Sequence, residues 1–405
     1  MKSGWQSKKL GDVCDFLNRG ISPKYLEAGG ICVLNQKCVR GHAVSYESSR
    51  RHDAAAKTVS AERLIRLGDV LVNSTGTGTL GRVAQVRDKP EEPTTVDSHV
   101  TIVRPKSGLF HLDFFGYMLV MIEDAIKEAG EGCGGQTELA RSVLAERFSV
   151  GYPASLPEQQ RIVGLLDEAF DGIATAKANA AKNLQNARAL FKSHLQSVFT
   201  QHGRGWRETT LGEVCRFENG DRGKNYPNRA EYLKSGIPWI NTGHIQPDGT
   251  LSQSEMNFIS MEKYDSLRSG KIRRGDLVYC LRGATLGKTA LVDPFTVGAV
   301  ASSLVIIRPS ALLDRHFLYY FLTSPHGQGL IKLYDNGAAQ PNLGAQSVAK
   351  YTISLPKLAE QKSIVQNLVG LAAETQRLAF NYQQKLAALD ALKKSLLHQA
   401  FAGQL

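Results

Sequence analysis

Trp5-Gln6-Ser7-Lys8-Lys9-Leu10-Gly11-Asp12-Val13-Cys14-Asp15-Phe16 returns, 201 positions later, as Trp206-Arg207-Glu208-Thr209-Thr210-Leu211-Gly212-Glu213-Val214-Cys215-Arg216-Phe217. The echo continues outward. Gly68-Asp69-Val70-Leu71 answers to Gly275-Asp276-Leu277-Val278, Thr79-Leu80-Gly81-Arg82 to Thr285-Leu286-Gly287-Lys288, Arg104-Pro105 to Arg308-Pro309, and Gln136…Leu139 to Gln340…Leu343. From Glu158-Gln159-Gln160…Ile162-Val163 against Glu360-Gln361-Lys362…Ile364-Val365 the offset is 202, and it holds at Lys192-Ser193 against Lys394-Ser395 and at Phe199 against Phe401. Self-similarity over the whole chain means one unit written twice. The constant offset near the end of each copy means that neither has gained or lost a residue there, so length is held fixed in this part while the preceding parts drift.

Each copy has two halves. The first, residues 1–155 and again 202–354, is rich in glycine and in short apolar runs such as Asp69-Val70-Leu71-Val72-Asn73, Val100-Thr101-Ile102-Val103 and Ser303-Leu304-Val305-Ile306-Ile307. Bounded by turn residues, these runs predict buried strands. Phe114 to Ala129 and His316 to Leu322 read as short helices, which makes this half a mixed α/β domain. The second half, residues 156–201 and 355–405, is helical. Leu156-Pro157 and Leu355-Pro356 put proline near a helix start, where its missing N–H costs nothing. Apolar residues then recur at steps of three and four: Ile162, Leu166, Ala169, Ile173, Ala176, Ala180, Leu184, Ala187, Phe191, Leu195 and Val198; the second copy gives Ile364, Leu368, Leu371, Leu378, Tyr382, Leu386, Leu389, Leu396 and Ala400. That is a heptad seam. Each run makes a rod of roughly 60 Å, and its simplest partner is the other copy. The expected fold is therefore α+β: two similar mixed α/β domains joined by two long helices in an intramolecular antiparallel coiled coil, with a pseudo-two-fold internal repeat.

The 405 residues carry 49 Lys and Arg against 38 Asp and Glu, a formal charge of +11 that suits a polyanionic partner. The six cysteines form no Cys-x-x-Cys pair and no zinc spacing, which reads as a reduced, cytosolic chain. The N-terminus lacks the apolar stretch of a signal peptide, and no run approaches the roughly 20 apolar residues of a membrane span. Two related readers on a stiff rod match a ligand that offers features at fixed spacing, as DNA does once per turn. The globular halves hold polar, glycine-rich loops with basic residues. Candidates for phosphates and base edges are Arg19, Lys24, Thr77, Arg82, Gln136 and Thr137 in the first copy. In the second they are Arg222, Lys224, Arg282, Lys288, Gln340 and Asn342.

Catalytic readings fail on local pattern. Gly76-Thr77-Gly78-Thr79-Leu80-Gly81 fits a dinucleotide fingerprint, but Arg82-Val83-Ala84-Gln85-Val86 after it predicts a strand where that motif needs a helix. Gly283-Ala284-Thr285-Leu286-Gly287-Lys288-Thr289 is one residue short of a P-loop. No Asp/Asn-Pro-Pro-Tyr/Phe segment, His-Glu-x-x-His or Gly-x-Ser-x-Gly occurs.

The Trp-x-x-x-x-Leu-Gly-(Asp/Glu)-Val starts, the Gly-Asp-(Val/Leu) turns, the Glu-Gln…Ile-Val helix openings and the Lys-Ser…Phe ends together resemble the specificity (S) subunit of type I restriction-modification systems, over the whole length. The resemblance implies target-recognition domains near 1–155 and 202–354, and conserved helical spacers near 156–201 and 355–405. It implies a bipartite asymmetric DNA site with a fixed gap. The implied partners are two methyltransferase (M) subunits, which bind S-adenosylmethionine and methylate adenine, and restriction (R) subunits that use ATP and Mg. It implies no catalysis, no cofactor and no metal in the S subunit itself. Gly135-Gln136-Thr137-Glu138-Leu139 departs from Ala339-Gln340-Pro341-Asn342-Leu343, as two domains reading different bases would. The alternatives are a specificity module of a methylation-only or type II-like system and a DNA-binding adaptor without a methyltransferase.

Overall fold

The computed structural model describes residues 4–133, 136–201, 203, 205–334 and 342–405. The chain forms two compact units, Met1–Ala180 with Gln384–Leu405, and Ala181–Gln383. Each long helix, Leu156–Thr200 and Leu358–Phe401, is thus divided between them.

In the first unit an antiparallel sheet runs in the order Cys14–Arg19, Val100–Pro105, Val70–Asn73, Val83–Gln85. Val70–Asn73 is buried throughout, as a central strand of Val-Leu-Val should be. A second sheet orders Thr94–Val96, Ile31–Leu34, Arg50–His52 and Tyr25–Leu26, with its first pair parallel. Trp5–Lys9 closes the domain against Ser149–Pro153, with Trp5 opposite Pro153. The second unit repeats this plan. Cys215–Asn219, Leu304–Pro309, Leu277–Cys280 and Thr289–Leu291 form one sheet. Asn257–Ile259, Ile237–Ile240 and Ala299–Val300 form the other, and Arg207–Thr210 pairs with Thr352–Leu355.

Two sequence motifs prove to be one device. Arg104 Nε and Nη2 donate to the two carboxylate oxygens of Asp69 at 2.8 and 2.7 Å, and Asp69 Oδ2 also accepts the Arg66 N–H. Arg308 holds Asp276 at the same two distances, with Arg273 in the place of Arg66. The Gly-Asp turn and the Arg-Pro strand end are thus a bidentate ion pair that locks a turn to a strand.

The helices meet in antiparallel fashion. In the first unit Arg161 Nη2 donates to the carbonyl of Leu405, and Lys177 Nζ meets Asp390 Oδ1 at 2.5 Å. Ile162, Leu166, Leu397, Ala400 and Phe401 join one core with Leu10, Phe114, Phe115 and Met118. In the second unit Leu195, Phe199, Leu211, Phe317, Phe321 and Leu368 share another. The seam residues Ile162, Leu166, Ile173, Leu184, Phe191 and Leu195 are all buried or half-buried, and so are Ile364, Leu368, Leu386, Leu389 and Leu396. Leu378 is the exception, at 38% exposed, while Thr375, one turn earlier, is buried. The Thr375 hydroxyl donates to the carbonyls of Leu371 and Ala372, so a polar side chain passes inside without an unpaired group.

Candidate nucleic-acid interface

In each unit the third strand in the main sheet's order, Val70–Asn73 or Leu277–Cys280, ends in a glycine-rich loop. In the first this is Ser74 to Arg82; in the second, Leu281 to Lys288. Backbone bonds place both loops alike. The Ser74 N–H donates to the His99 carbonyl at 2.8 Å, and the Leu139 N–H donates to the Ser74 carbonyl at 2.8 Å. In the second unit the Leu281 N–H donates to the Ser303 carbonyl and the Leu343 N–H to the Leu281 carbonyl, each at 2.9 Å. Gly81 and Gly287 close the loops, their N–H groups on the Asn73 and Cys280 carbonyls. Both have positive φ, +81° and +83°, and at Gly81 a Cβ would come within 2.9 Å of the Lys127 backbone, so glycine is required there. The strand that follows each loop, Val83–Gln85 and Thr289–Leu291, is incompatible with a dinucleotide fingerprint or a P-loop.

The structure gathers some of the candidates and separates others. Arg19 lies beside the chain that crosses the first loop: its Nη1 pairs with Glu138 at 2.8 Å and its Nη2 donates to the Leu139 carbonyl. Arg82 Nη2 donates to the Gly78 carbonyl, across the loop on which exposed Thr77 sits. Gln136 and Thr137 belong to the strand Gln136–Glu138, whose end bridges Thr75, but their side chains lie outside the described set. Lys24 is exposed at the edge of the other sheet, its backbone N–H on His52 Nδ1. In the second unit Arg282 bridges Asn342, and Arg282 Nε is buried without a partner among the described residues. Arg222 and Lys224 are exposed, with Arg222 Nη2 at 3.4 Å from the Ser302 carbonyl. Lys288 is exposed at the loop's end, and Gln340 lies outside the described residues.

Sequence reading missed the residue that braces the first loop. Gln36 Nε2 donates to the Thr75 carbonyl at 2.9 Å and to its hydroxyl at 2.5 Å. Gln36 follows Asn35, which caps a short turn after Ile31–Leu34, and Asn241 does the same after Ile237–Ile240. The Asn35 N–H donates to Cys38 Sγ, the Asn241 N–H to His244 Nδ1. The signal was present as Leu34-Asn35 against Ile240-Asn241, but two residues are too few to find without the strands around them. Burial pushes the Cys38 thiol up and holds the His244 imidazole below its usual range. Asp97, whose Oδ1 accepts the His99 N–H, is raised by burial.

At matching positions around the two loops the residues differ: Arg19 against Asn219, Thr75 against Arg282, Glu138 against Asn342. The backbone frame is duplicated, as is Thr79-Leu80-Gly81 in Thr285-Leu286-Gly287, while these three positions carry different side chains. A cavity of about 1150 Å³ elsewhere in the first unit holds none of the candidates; it lies between Arg87, Tyr117, Phe170 and Lys393. Among the described residues no group of His, Cys, Asp and Glu could hold a metal ion, and no helix is long and apolar enough to cross a membrane.

A duplicated α/β reader on paired long helices is the architecture of a DNA-specificity module. The type I restriction modification DNA specificity domain matches this chain twice, over residues 2–183 and 203–385, and the chain belongs to that family. Among relatives, the specificity subunit of the type I restriction enzyme EcoBI from Escherichia coli is 26% identical over 203 residues, 49% of this chain and 42% of that protein. The MjaVIII specificity subunit from Methanocaldococcus jannaschii is 20% identical over 306 residues, 71% of this chain and 69% of its own length. The HsdS subunit from Thermoanaerobacter tengcongensis has the same fold, at a TM-score of 0.67 and 19% identity, over 100% of this chain and 98% of that one. A chain solved in a study of assembly and conformational transition of the type I R-M system gives 0.79 at 18% identity, over 100% and 99%.

Proposed function

We propose that this chain is the specificity subunit that reads a bipartite, asymmetric DNA site with a gap of fixed length. Each recognition domain, residues 1–155 and 202–354, reads one half. The helical regions, 156–201 and 355–405, act as ruler and docking surface. The observation that supports this best is the duplicated loop frame with different side chains at Arg19 and Asn219, Thr75 and Arg282, and Glu138 and Asn342, because a symmetric reader would repeat them. Arg19, Lys24, Thr77, Arg82, Gln136, Thr137, Arg222, Lys224, Arg282, Lys288, Gln340 and Asn342 are proposed to meet DNA. In this reading the chain is non-catalytic and works in the cytoplasm. Two M subunits bring S-adenosylmethionine and methylate adenine, and R subunits bring ATP and Mg and cut. The cavity between Arg87, Tyr117, Phe170 and Lys393 suits a docking role, since Asp167, Phe170, Asp171 and Ala174 of the long helix line it and none of the loop candidates does.

The test is a methylome. The chain is co-expressed with the methyltransferase encoded beside it, and N6-methyladenine is mapped by long-read sequencing. A split motif with one fixed gap, lost when this chain is left out, is the expected result; methylation independent of this chain would refute the reading.

A further inference from the structure

One buried side chain is placed identically in both units and has no part in the interface. Gln159, the fourth residue of the first long helix, is fully buried. Its Oε1 accepts the backbone N–H of His111 at 2.8 Å, and its Nε2 donates to the carbonyls of Pro153 at 2.9 Å and Leu109 at 3.2 Å. Gln361, near the start of the second long helix, is fully buried too. Its Oε1 accepts the N–H of Asp314 at 2.7 Å, and its Nε2 donates to the carbonyls of Pro356 and Leu312, both at 2.9 Å. His111 and Asp314 are the residues that cap the helices Leu112–Met121 and Arg315–Thr323. In each unit one amide therefore ties three things: the start of the long helix, the segment just before it, and the cap of the domain's own core helix.

Apolar packing around this junction is non-directional and tolerates small rotations. A primary amide holding three backbone groups does not, because each bond needs its angle as well as its distance. Burying an amide is tolerable only when it is hydrogen-bonded, and both units meet that condition with the same three partners.

We propose that Gln159 and Gln361 are positioning residues that fix the angle of each recognition domain on its long helix, and so set how strictly the gap is measured. The inference rests on the bipartite reading above. A half-site moved by one base pair is displaced by about 3.4 Å and turned by roughly 35°. A domain rigid on its helix rejects that site; a domain free to swing accepts it. The glutamines touch no base, so half-site identity does not depend on them.

The experiment uses the full chain co-expressed with its methyltransferase partner and compares methylation at the normal gap with gaps one base pair longer and shorter. The variants are Gln159→Met, Gln361→Met and Gln159→Glu, which keeps the acceptor toward His111 but loses both donors. Ile102→Val, a core change away from the junction, is the stability control. Each glutamine variant is expected to raise the share of off-length sites about ten-fold, with both half-sites unchanged, as the loss of one buried restraint implies. Ile102→Val is expected to lower methylation, if it has any effect, without broadening the gap. An unchanged single gap in folded glutamine variants, or loss of folded protein in all three, would leave these residues a structural role only and overturn the proposal. A wild-type chain that yields no split motif would instead defeat the bipartite reading itself.

Discussion

Cys38 and His244 occupy one place in two copies of one turn, and burial shifts them oppositely, the thiol up and the imidazole down. Each accepts a backbone N–H, from Asn35 at 3.4 Å and from Asn241 at 3.1 Å. His244 is buried, and that burial disfavours its charged form. The unfolded chain therefore binds the proton more readily than the folded one. This contribution to stability is fully present above the unfolded value, about 6.5, and is lost as the pH falls through that value toward the lower folded one. His244→Cys, which imports the first unit's solution, should remove this part of the acid sensitivity, because a thiol's ordinary value, about 8.5, lies above that window. Urea unfolding of both proteins at several pH values between 5 and 8 measures it. An acid slope unchanged by the substitution would show that other groups dominate. Nothing in the sequence marked this pair, because a cysteine and a histidine share no pattern until the surrounding strands align them.

The long helices were the most readable elements, and their details show where periodicity stops informing. Steps of three and four located the seam, but two intervals of seven in the second helix, Leu371 to Leu378 and Leu389 to Leu396, left it ambiguous. The structure turns the first interval inward at polar Thr375 and leaves Leu378 exposed. In the second, Lys393 is half-buried, its ammonium 4.8 Å from the centre of the Phe170 ring, and burial lowers its affinity for a proton. A hydroxyl bonded to its own helix and an ammonium over a ring can pass where a hydrophobicity pattern expects leucine. The repeated phenylalanine ends were equally plain in sequence, yet their role was not. Phe401 packs 5.0 Å from Phe114, in the domain of the first copy, and Phe199 packs 5.1 Å from Phe317, in the domain of the second. Periodicity shows which side chains are apolar but not which surface receives them. Phe199→Ala should cost about 3 kcal/mol, the low end for a buried phenylalanine, read as a shift in the denaturant midpoint. A loss below 1 kcal/mol would mean that the end of the helix is dispensable. Deleting four residues within 175–190 tests the helix as a ruler. Four residues remove about 6 Å and turn the helix by roughly 400°, only about 40° from register, so the seam survives. The gap between half-sites should change by one to two base pairs at about 3.4 Å each while the half-sites stay the same. Altered half-site bases with an unchanged gap would contradict the assignment.

For the molecule as a whole, the question is whether its two readers are independent. Each unit has its own sheets and its own core. That independence favours exchanging residues 202–354 for the corresponding segment of a relative. The exchanged piece carries both Arg207–Thr210 and most of its partner strand Thr352–Leu355, so the closing pair stays together. What the rest of the chain supplies to the graft is narrow. Leu195, Phe199 and Leu368 must pack against whatever stands at 317, 318 and 321, so the donor needs apolar residues there. Gln361 must still find its partners, but these are backbone groups: that of residue 356, outside the graft, and those of residues 312 and 314, which any donor with the same local fold provides. A graft that keeps the junction and changes the loops should alter one half-site and leave the other half and the gap as they were. Mapping N6-methyladenine in cells carrying the chimera with the methyltransferase reads all three at once. Two altered halves would mean that recognition is shared between the domains; a changed gap with both halves intact would place spacing control in the graft and not in the helices.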